Sequence, residues 1–198
     1  RLAVIEVAPG LAARITSNVL NQAGRPLYVI QPDGGVVTNL FLPTGELTNT
    51  CGARTYPVAI GFDPQGRKTS MTTWTNFAAR NGSAITSWTF DPALGFLTGK
   101  TYADDSAVLY TNSGGGRLQT RLWARGIATS YGYNGANDLL TVTHTDGTPG
   151  VTNTYDRLGR VQTVSDGVSS RTLSYNEFGQ LTNETYTTGL LSGCSVIR

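Results

Sequence analysis

The sequence predicts an all-β chain of short antiparallel strands, and three observations carry that expectation. Glycine and threonine, 24 and 29 residues of 198, make up more than a quarter of the chain. Glycine loses backbone entropy in a helix and threonine loses side-chain freedom, whereas threonine suits a pleated surface and glycine supplies the turns. Turn signals recur about every ten residues, the spacing of an all-β sandwich, barrel or solenoid. A seven-residue motif also repeats along the whole sequence, and a repeat of this period decides the architecture.

The motif is an aromatic, Asp or Asn, two free positions, Gly, a polar residue and an aliphatic. From the N-terminus, weak copies open at Leu20, with Asn21, Gly24 and Arg25, and at Phe41, with Gly45-Glu46-Leu47. Phe62-Asp63-Pro64-Gln65-Gly66-Arg67-Lys68 fits at most positions, and Phe90-Asp91-Pro92-Ala93-Leu94-Gly95-Phe96-Leu97 carries one extra residue. Another weak copy begins at Tyr110, with Gly114 to Gly116 and then Arg117-Leu118. Tyr133-Asn134-Gly135-Ala136-Asn137-Asp138-Leu139 fits once Asn137 replaces the glycine, since Asn tolerates positive φ best after Gly. The clearest copies are Tyr155-Asp156-Arg157-Leu158-Gly159-Arg160-Val161 and Tyr175-Asn176-Glu177-Phe178-Gly179-Gln180-Leu181. The eight anchors are separated by 21, 21, 28, 20, 23, 22 and 20 residues, a single array over 1–198.

Each copy reads as a hairpin. Asp or Asn after the aromatic hydrogen-bonds the backbone two residues on, and Gly three residues later takes the left-handed conformation that closes a short loop. Second turn signals follow at Asp33-Gly34-Gly35, Asn81-Gly82, Asp104-Asp105-Ser106, Asp146-Gly147 and Asp166-Gly167, with strands such as 139–145 and 161–165 between the two turn types. Trp88 with Phe90, and Tyr131 with Tyr133, lie two apart and share a strand face.

The charge balance narrows the function. Fifteen Lys and Arg against thirteen Asp and Glu give +2, spread evenly, so no basic stripe exists to follow a phosphate backbone and no nucleic-acid partner is expected. No apolar run reaches the ~18 residues that cross a bilayer as a helix, so no membrane insertion is expected. Arg1 opens the sequence without an initiator Met or a leader pattern, and the chain reads as a soluble piece of something longer. Cys51 and Cys194 lie far apart with no CxxC motif, and are read as unpaired thiols.

No constellation for catalysis, metal or cofactor emerges. His144 is the sole histidine, in a Thr-rich strand with no GxSxG elbow, and reads as an ordinary strand residue. Asp63, Asp91 and Asp156 recur at one repeat position, which turn closure explains without a paired acid and base. Asp104-Asp105-Ser106 lacks the alternating ligands of a calcium loop, and Gly114 to Gly116 lacks the Lys-Ser/Thr ending of a phosphate loop. Trp74, Trp88 and Trp123 are the candidates for ligand contact, because an exposed indole can stack on a sugar ring.

The recurring aromatic-Asp-x-x-Gly-Arg-aliphatic unit resembles the YD-repeat, or RHS-repeat, family, most closely at 155–161, 175–181 and 62–68. The resemblance implies hairpins wound into a spiralling sheet around a large hollow, as in bacterial RHS proteins, insecticidal toxin complexes and teneurins. It implies a secreted or cell-surface location and a non-enzymatic wall enclosing a toxin or other polypeptide cargo, the partners being that cargo and the rest of the larger chain. A surface adhesion module that binds carbohydrate or protein is the alternative. Bacterial members usually end in a DPxGL-like self-cleavage motif and a toxin. Asp91-Pro92-Ala93-Leu94-Gly95 has similar letters in another order and reads as a turn, and 190–198 reads as the start of another repeat.

A segment of such an array is expected to carry raw strand edges at both ends, which template further strand. Light scattering of the isolated chain at rising concentration should show end-to-end association, and a strict monomer at high concentration counts against open edges.

Overall fold

A computed structural model describes residues 2–6 and 13–197; Arg1 and Arg198 lie outside the described residues. The described residues form eighteen β-strands and no helix, so the all-β expectation holds. The chain divides into two compact units, one of residues 1–89 with 100–106 and one of 90–99 with 107–198.

The first unit is built from β1 (Leu2–Glu6), β2 (Arg14–Leu20), β3 (Pro26–Ile30), β4 (Val36–Phe41), β5 (Leu47–Gly52), β6 (Thr55–Phe62), β7 (Lys68–Asn76) and β8 (Asn81–Phe90). Each pairs antiparallel with the next. The division of the chain falls after Thr89, which leaves Phe90 at the end of β8 in the second unit, and again within β9 (Leu97–Thr101). The second unit continues with β10 (Ala107–Asn112), β11 (Leu118–Leu122), β12 (Ala128–Tyr133), β13 (Leu139–His144), β14 (Val151–Tyr155), β15 (Val161–Ser165), β16 (Ser170–Tyr175), β17 (Leu181–Thr188) and β18 (Ser195–Ile197), again each antiparallel to the next. The expected fresh start at 190–198 appears as a turn followed by β18 on the β17 edge.

Seven of the eight anchors end a strand: Leu20, Phe41, Phe62, Phe90, Tyr133, Tyr155 and Tyr175. Tyr110 does not, because β10 runs two residues further and its turn opens after Asn112. Counted from Asn112, the two neighbouring spacings become 22 and 21 residues. The sequence obscures this position because Asn112-Ser113 stands where other copies have an aromatic and an acid.

The turns after six of the anchors, and the one that opens after Asn112, repeat one hydrogen-bond pattern. The residue after the anchor donates its N–H to the carbonyl four residues on, and the third residue after that donor donates back to it, as in Asp156 N to Arg160 O (2.9 Å) and Gly159 N to Asp156 O (3.0 Å). The turn after Phe90 is one residue longer, with Asp91 N donating to Phe96 O (2.7 Å) and Gly95 N to Asp91 O (2.9 Å). The returning residue takes φ near +80° except at Gly45 (124°), and Asn137, at 78°, takes it without being glycine. One residue of the second strand is left unpaired, so Thr154 faces Thr163 while Tyr155 faces Val161. The turns at Gln31–Gly35, Tyr102–Ser106 and Trp123–Ile127 close in the same way at the other ends of the strands.

One second turn differs from expectation. Asn81-Gly82 opens β8, and the chain reverses at 77–80, where Asn76 Oδ1 accepts the Ala79 N–H (3.1 Å) and Arg80 takes φ 50°. Asn81 then faces Asn76 across the ladder.

These strands form no ordinary core. Val108 is the only buried hydrophobic side chain among the described residues, and Thr129 the only buried polar one. The chain exposes 12826 Å², whereas two separate compact globules of half its mass would together expose about 11,000 Å². Contacts along the sheet therefore replace contacts between layers. In the second unit one face is a belt of hydroxyls, on which Thr111 meets Thr120 and Thr154 meets Thr163, each at 2.6 Å, and Ser170 donates to Ser165 at 3.0 Å. The other face carries the long side chains: Val151, Asn153 and Tyr155 are half-buried where Thr152 and Thr154 are exposed.

Gly52 sits at φ 134°, and a Cβ there would run into the carbonyl of Val36. Gly179 takes φ 77° in open space. Gly52→Ala should cost about 2–4 kcal/mol by denaturant unfolding, and Gly179→Ala only about 1 kcal/mol; equal losses would show that the close approach at Gly52 is not a constraint.

Candidate functional site

The repeat builds two things, a clamp inside each turn and a seam between turns. In the clamp, the Asp or Asn side chain gathers two backbone donors with one oxygen. Asp156 Oδ1 accepts from Leu158 N and Arg160 N, each at 2.9 Å, and Asp63 Oδ1 accepts from Gln65 N (3.0 Å) and Arg67 N (2.9 Å). The second side-chain atom then selects its partner. An Asp has another acceptor, and takes Arg Nε: Arg160 to Asp156 at 2.7 Å, Arg67 to Asp63 at 2.6 Å. An Asn has a donor, and finds an acceptor: Asn176 Nδ2 donates to Gln180 Oε1 (2.8 Å) and Asn134 Nδ2 to Asp138 Oδ2 (3.0 Å). Asn21 is paired with Arg25, which cannot accept, so the Arg25 guanidinium turns to the Leu42 carbonyl instead.

The clamp also sets protonation. The Arg160 N–H, opposed by partial desolvation and aided by the Arg160 guanidinium and Leu158 N–H, holds the Asp156 carboxyl below its ordinary value. At Asp63 desolvation is the largest influence and acts upward, but the Arg67 N–H and guanidinium and the Gln65 N–H outweigh it, and the carboxyl again sits low.

The seam joins each copy to the next. Tyr133 OH donates to Leu118 O (2.9 Å), Tyr155 OH to Leu139 O (2.7 Å) and Tyr175 OH to Val161 O (2.8 Å), each reaching the aliphatic residue of the preceding copy. At two other junctions an Asn makes the equivalent bond: Asn112 Nδ2 to Leu97 O (3.1 Å), and Asn39, two residues before Phe41, to Pro26 O (3.0 Å). The clamp cation of one copy also lies over the anchor ring of the next: Arg25 over Phe41 (5.9 Å), Arg117 over Tyr133 (5.5 Å) and Arg160 over Tyr175 (4.6 Å). Sequence reasoning assigned Tyr155, Asp156, Gly159 and Arg160 to one turn; that Arg160 and Tyr175 meet across copies was not visible in it.

The three tryptophans are half-buried and partnered, so the exposed indole that motivates sugar stacking is not found at any of them. Trp74 meets Phe77 edge-on at 5.1 Å. Trp88 lies under Lys68 and Lys100. Trp123 lies under Arg121 at 3.4 Å and donates its indole N–H to Thr129 Oγ1 (3.0 Å), which also bonds His144 Nδ1 (3.1 Å). Thr129 is buried, so this Thr–His pair offers no hydroxyl to a substrate.

The acidic candidates are engaged locally. Asp91 Oδ1 accepts from Ala93 N and Leu94 N, and Asp104 Oδ1 from Ser106 N and Oγ, with Asp105 at φ 61° completing the turn. Among the described residues no three His, Cys, Asp or Glu side chains are grouped as metal ligands. Gly114 to Gly116 forms the turn before β11, and Cys51 and Cys194 are free thiols.

No protein-family model and no curated protein sequence matches the chain. Its fold is similar to that of solved structures. One is described as the crystal structure of TcdB2-TccC3-TEV, matched at 15% identity and a TM-score of 0.52 over 87% of this chain and 11% of that one. Another is the Photorhabdus luminescens Tc holotoxin pore with TccC3-D651A, at 15% identity and a TM-score of 0.40 over 86% and 12% of the two chains. The chain thus spans about a tenth of the length of the TcdB2-TccC3-TEV chain. The first likeness agrees with the fold that the repeat implies.

The clamp makes a pairing rule that can be tested by exchange. Asp156→Asn alone and Arg160→Gln alone should each lower the melting temperature, and the double variant, which recreates the Asn176–Gln180 pairing, should recover most of the loss. In the wild type the Asp156 contribution is complete above the ordinary carboxylate range at about pH 4 and disappears as pH falls through the lower value held in the fold. Additive losses in the double variant would disprove the rule.

Proposed function

We propose that the chain is a non-enzymatic section of wall in an RHS-type shell, enclosing a polypeptide cargo within a larger secreted or cell-surface protein. The observation that carries this reading is the near absence of a core among the described residues of a chain whose successive strands are paired in hairpin ladders. An ordinary domain buries one face of each sheet against another layer. Here, cross-strand pairs, turn clamps and the seam hold the strands, and a wall one sheet thick is what such a design can supply. Its mechanism is steric: backbone groups paired in hairpin ladders leave few edges for a protease to engage.

The likeness to the TcdB2-TccC3-TEV structure supports the fold on which this reading rests. The Asp turns support the non-enzymatic part, since their carboxylates are consumed in closing hairpins.

The test uses the whole polypeptide in which this chain occurs. Under limited proteolysis, a cargo segment should survive intact while the wall is folded and be degraded once mild denaturant opens it. Digestion of every other segment at the same rate before and after unfolding of the wall would overturn the proposal.

A further inference from the structure

The chain has fifteen basic residues, and only two of them, Lys68 and Lys100, are lysines. Both lie in the first unit, and both meet the same indole. Lys68 Nζ is 4.2 Å from the centroid of the Trp88 ring and Lys100 Nζ is 5.6 Å from it; Lys100 Nζ is also 4.4 Å from the Tyr102 ring. The two ammonium groups are therefore no farther apart than those two Trp88 distances laid end to end.

The repeat does not call for this arrangement. Lys68 stands at the position where the motif has an aliphatic residue, and elsewhere the cation that covers an anchor ring is an arginine held in a clamp. Nor are the lysines neutralised. Both are half-buried. Lys68 donates to Met71 Sδ at 3.6 Å, a weak acceptor. Among the described residues, no carboxylate forms an ion pair with either lysine. The acids of the following turn are not recruited: Asp104 is bonded to Ser106. Cation–π contact offsets part of the cost of two like charges on one ring, but a ring face is no substitute for an oxygen acceptor, so the N–H donors of both ammoniums stay available to an anion.

We propose that Lys68 and Lys100, gathered on Trp88, bind one oxyanion group, a carboxylate or a phosphate. A lysine supplies a point charge with rotatable donors, so a pair of them suits a compact tetrahedral or planar anion approached from two sides. The Trp88 and Tyr102 rings beside the two ammoniums offer apolar contact to whatever bears the anion. The proposal is independent of the shell reading, since it concerns one site within one unit.

Because these are the only two lysines, reductive ¹³C-methylation, which keeps their charge, gives two side-chain signals for direct observation by NMR. Titration with sodium phosphate, and separately with sodium acetate, should move both signals along one binding curve beyond the change given by sodium chloride at equal ionic strength. Phosphate binding tighter than acetate assigns the site to phosphate groups, and the reverse order to carboxylates. Lys68→Met and Lys100→Met, which keep the apolar stems, should each weaken binding by about tenfold as measured by calorimetry on unmodified protein. The proposal fails if neither anion moves the signals more than chloride does, or if Lys100→Met leaves the Lys68 response unchanged. The titration of the methylated wild type decides the matter even if a variant does not fold.

Discussion

The structure depends on closing each repeat hairpin through a left-handed residue that donates its N–H back across the turn. A sheet with one buried hydrophobic side chain among its described residues cannot rely on burial to hold its strands in register. Register is set instead by the turn: two backbone hydrogen bonds, a residue at φ near +80°, and one unpaired residue on the returning strand. A slip of one residue would exchange the two faces, putting the hydroxyl belt of the second unit where its tyrosines now bond to carbonyls. The clamp makes that slip costly at Asn21, Asp63, Asp156 and Asn176, where the side chain that opens the turn bonds the N–H two and four residues later.

Most of the fold was legible because the turn is local. A motif of seven residues contains its own closing glycine, its own carboxylate and the carboxylate's partner, so Tyr155 to Val161 declares its hairpin without help from the rest of the chain. Legibility failed where a residue was replaced by one of similar function and different letters. Asn112 and Ser113 do the work of tyrosine and aspartate, with the Asn amide reaching Leu97 O and the Ser113 hydroxyl accepting the Arg117 N–H at 3.2 Å. The aromatic two residues earlier drew the boundary to Tyr110. Asn81-Gly82 misled for the opposite reason: the dipeptide has turn chemistry, but pairing with Asn76 places it in a strand.

The interactions between copies were less legible, because they depend on which residues the sheet brings side by side. Residues such as Arg160 and Tyr175 are fifteen apart, and only the intervening hairpin places the guanidinium over the ring. The same limit applies to the lysines. Lys68 registers in the sequence as a flawed motif position and Lys100 as an unremarked strand residue, yet β7, β8 and β9 place both on Trp88. The tryptophans were singled out for their chemistry, and their partners changed what that chemistry suggests: from stacking on a sugar to gathering two charges.

The seam has a mechanical consequence. Copies are tied to their predecessors at several positions by side-chain hydrogen bonds, by a stacked cation or by both, and these contacts reach only the nearest neighbour. Stability within each unit then behaves as a one-dimensional sum of copy and junction energies, in the manner of a nearest-neighbour chain. Such a chain yields at its weakest link. The junction at Tyr155 has two bonds to Leu139 O, from the Tyr155 hydroxyl (2.7 Å) and Asn153 Nδ2 (3.0 Å), but its preceding clamp ends in Asp138, which supplies no cation to cover the ring. Under tension or heat, rupture would start at a junction of this kind and spread copy by copy, so the cooperative length of the array is set by where the guanidinium groups are missing.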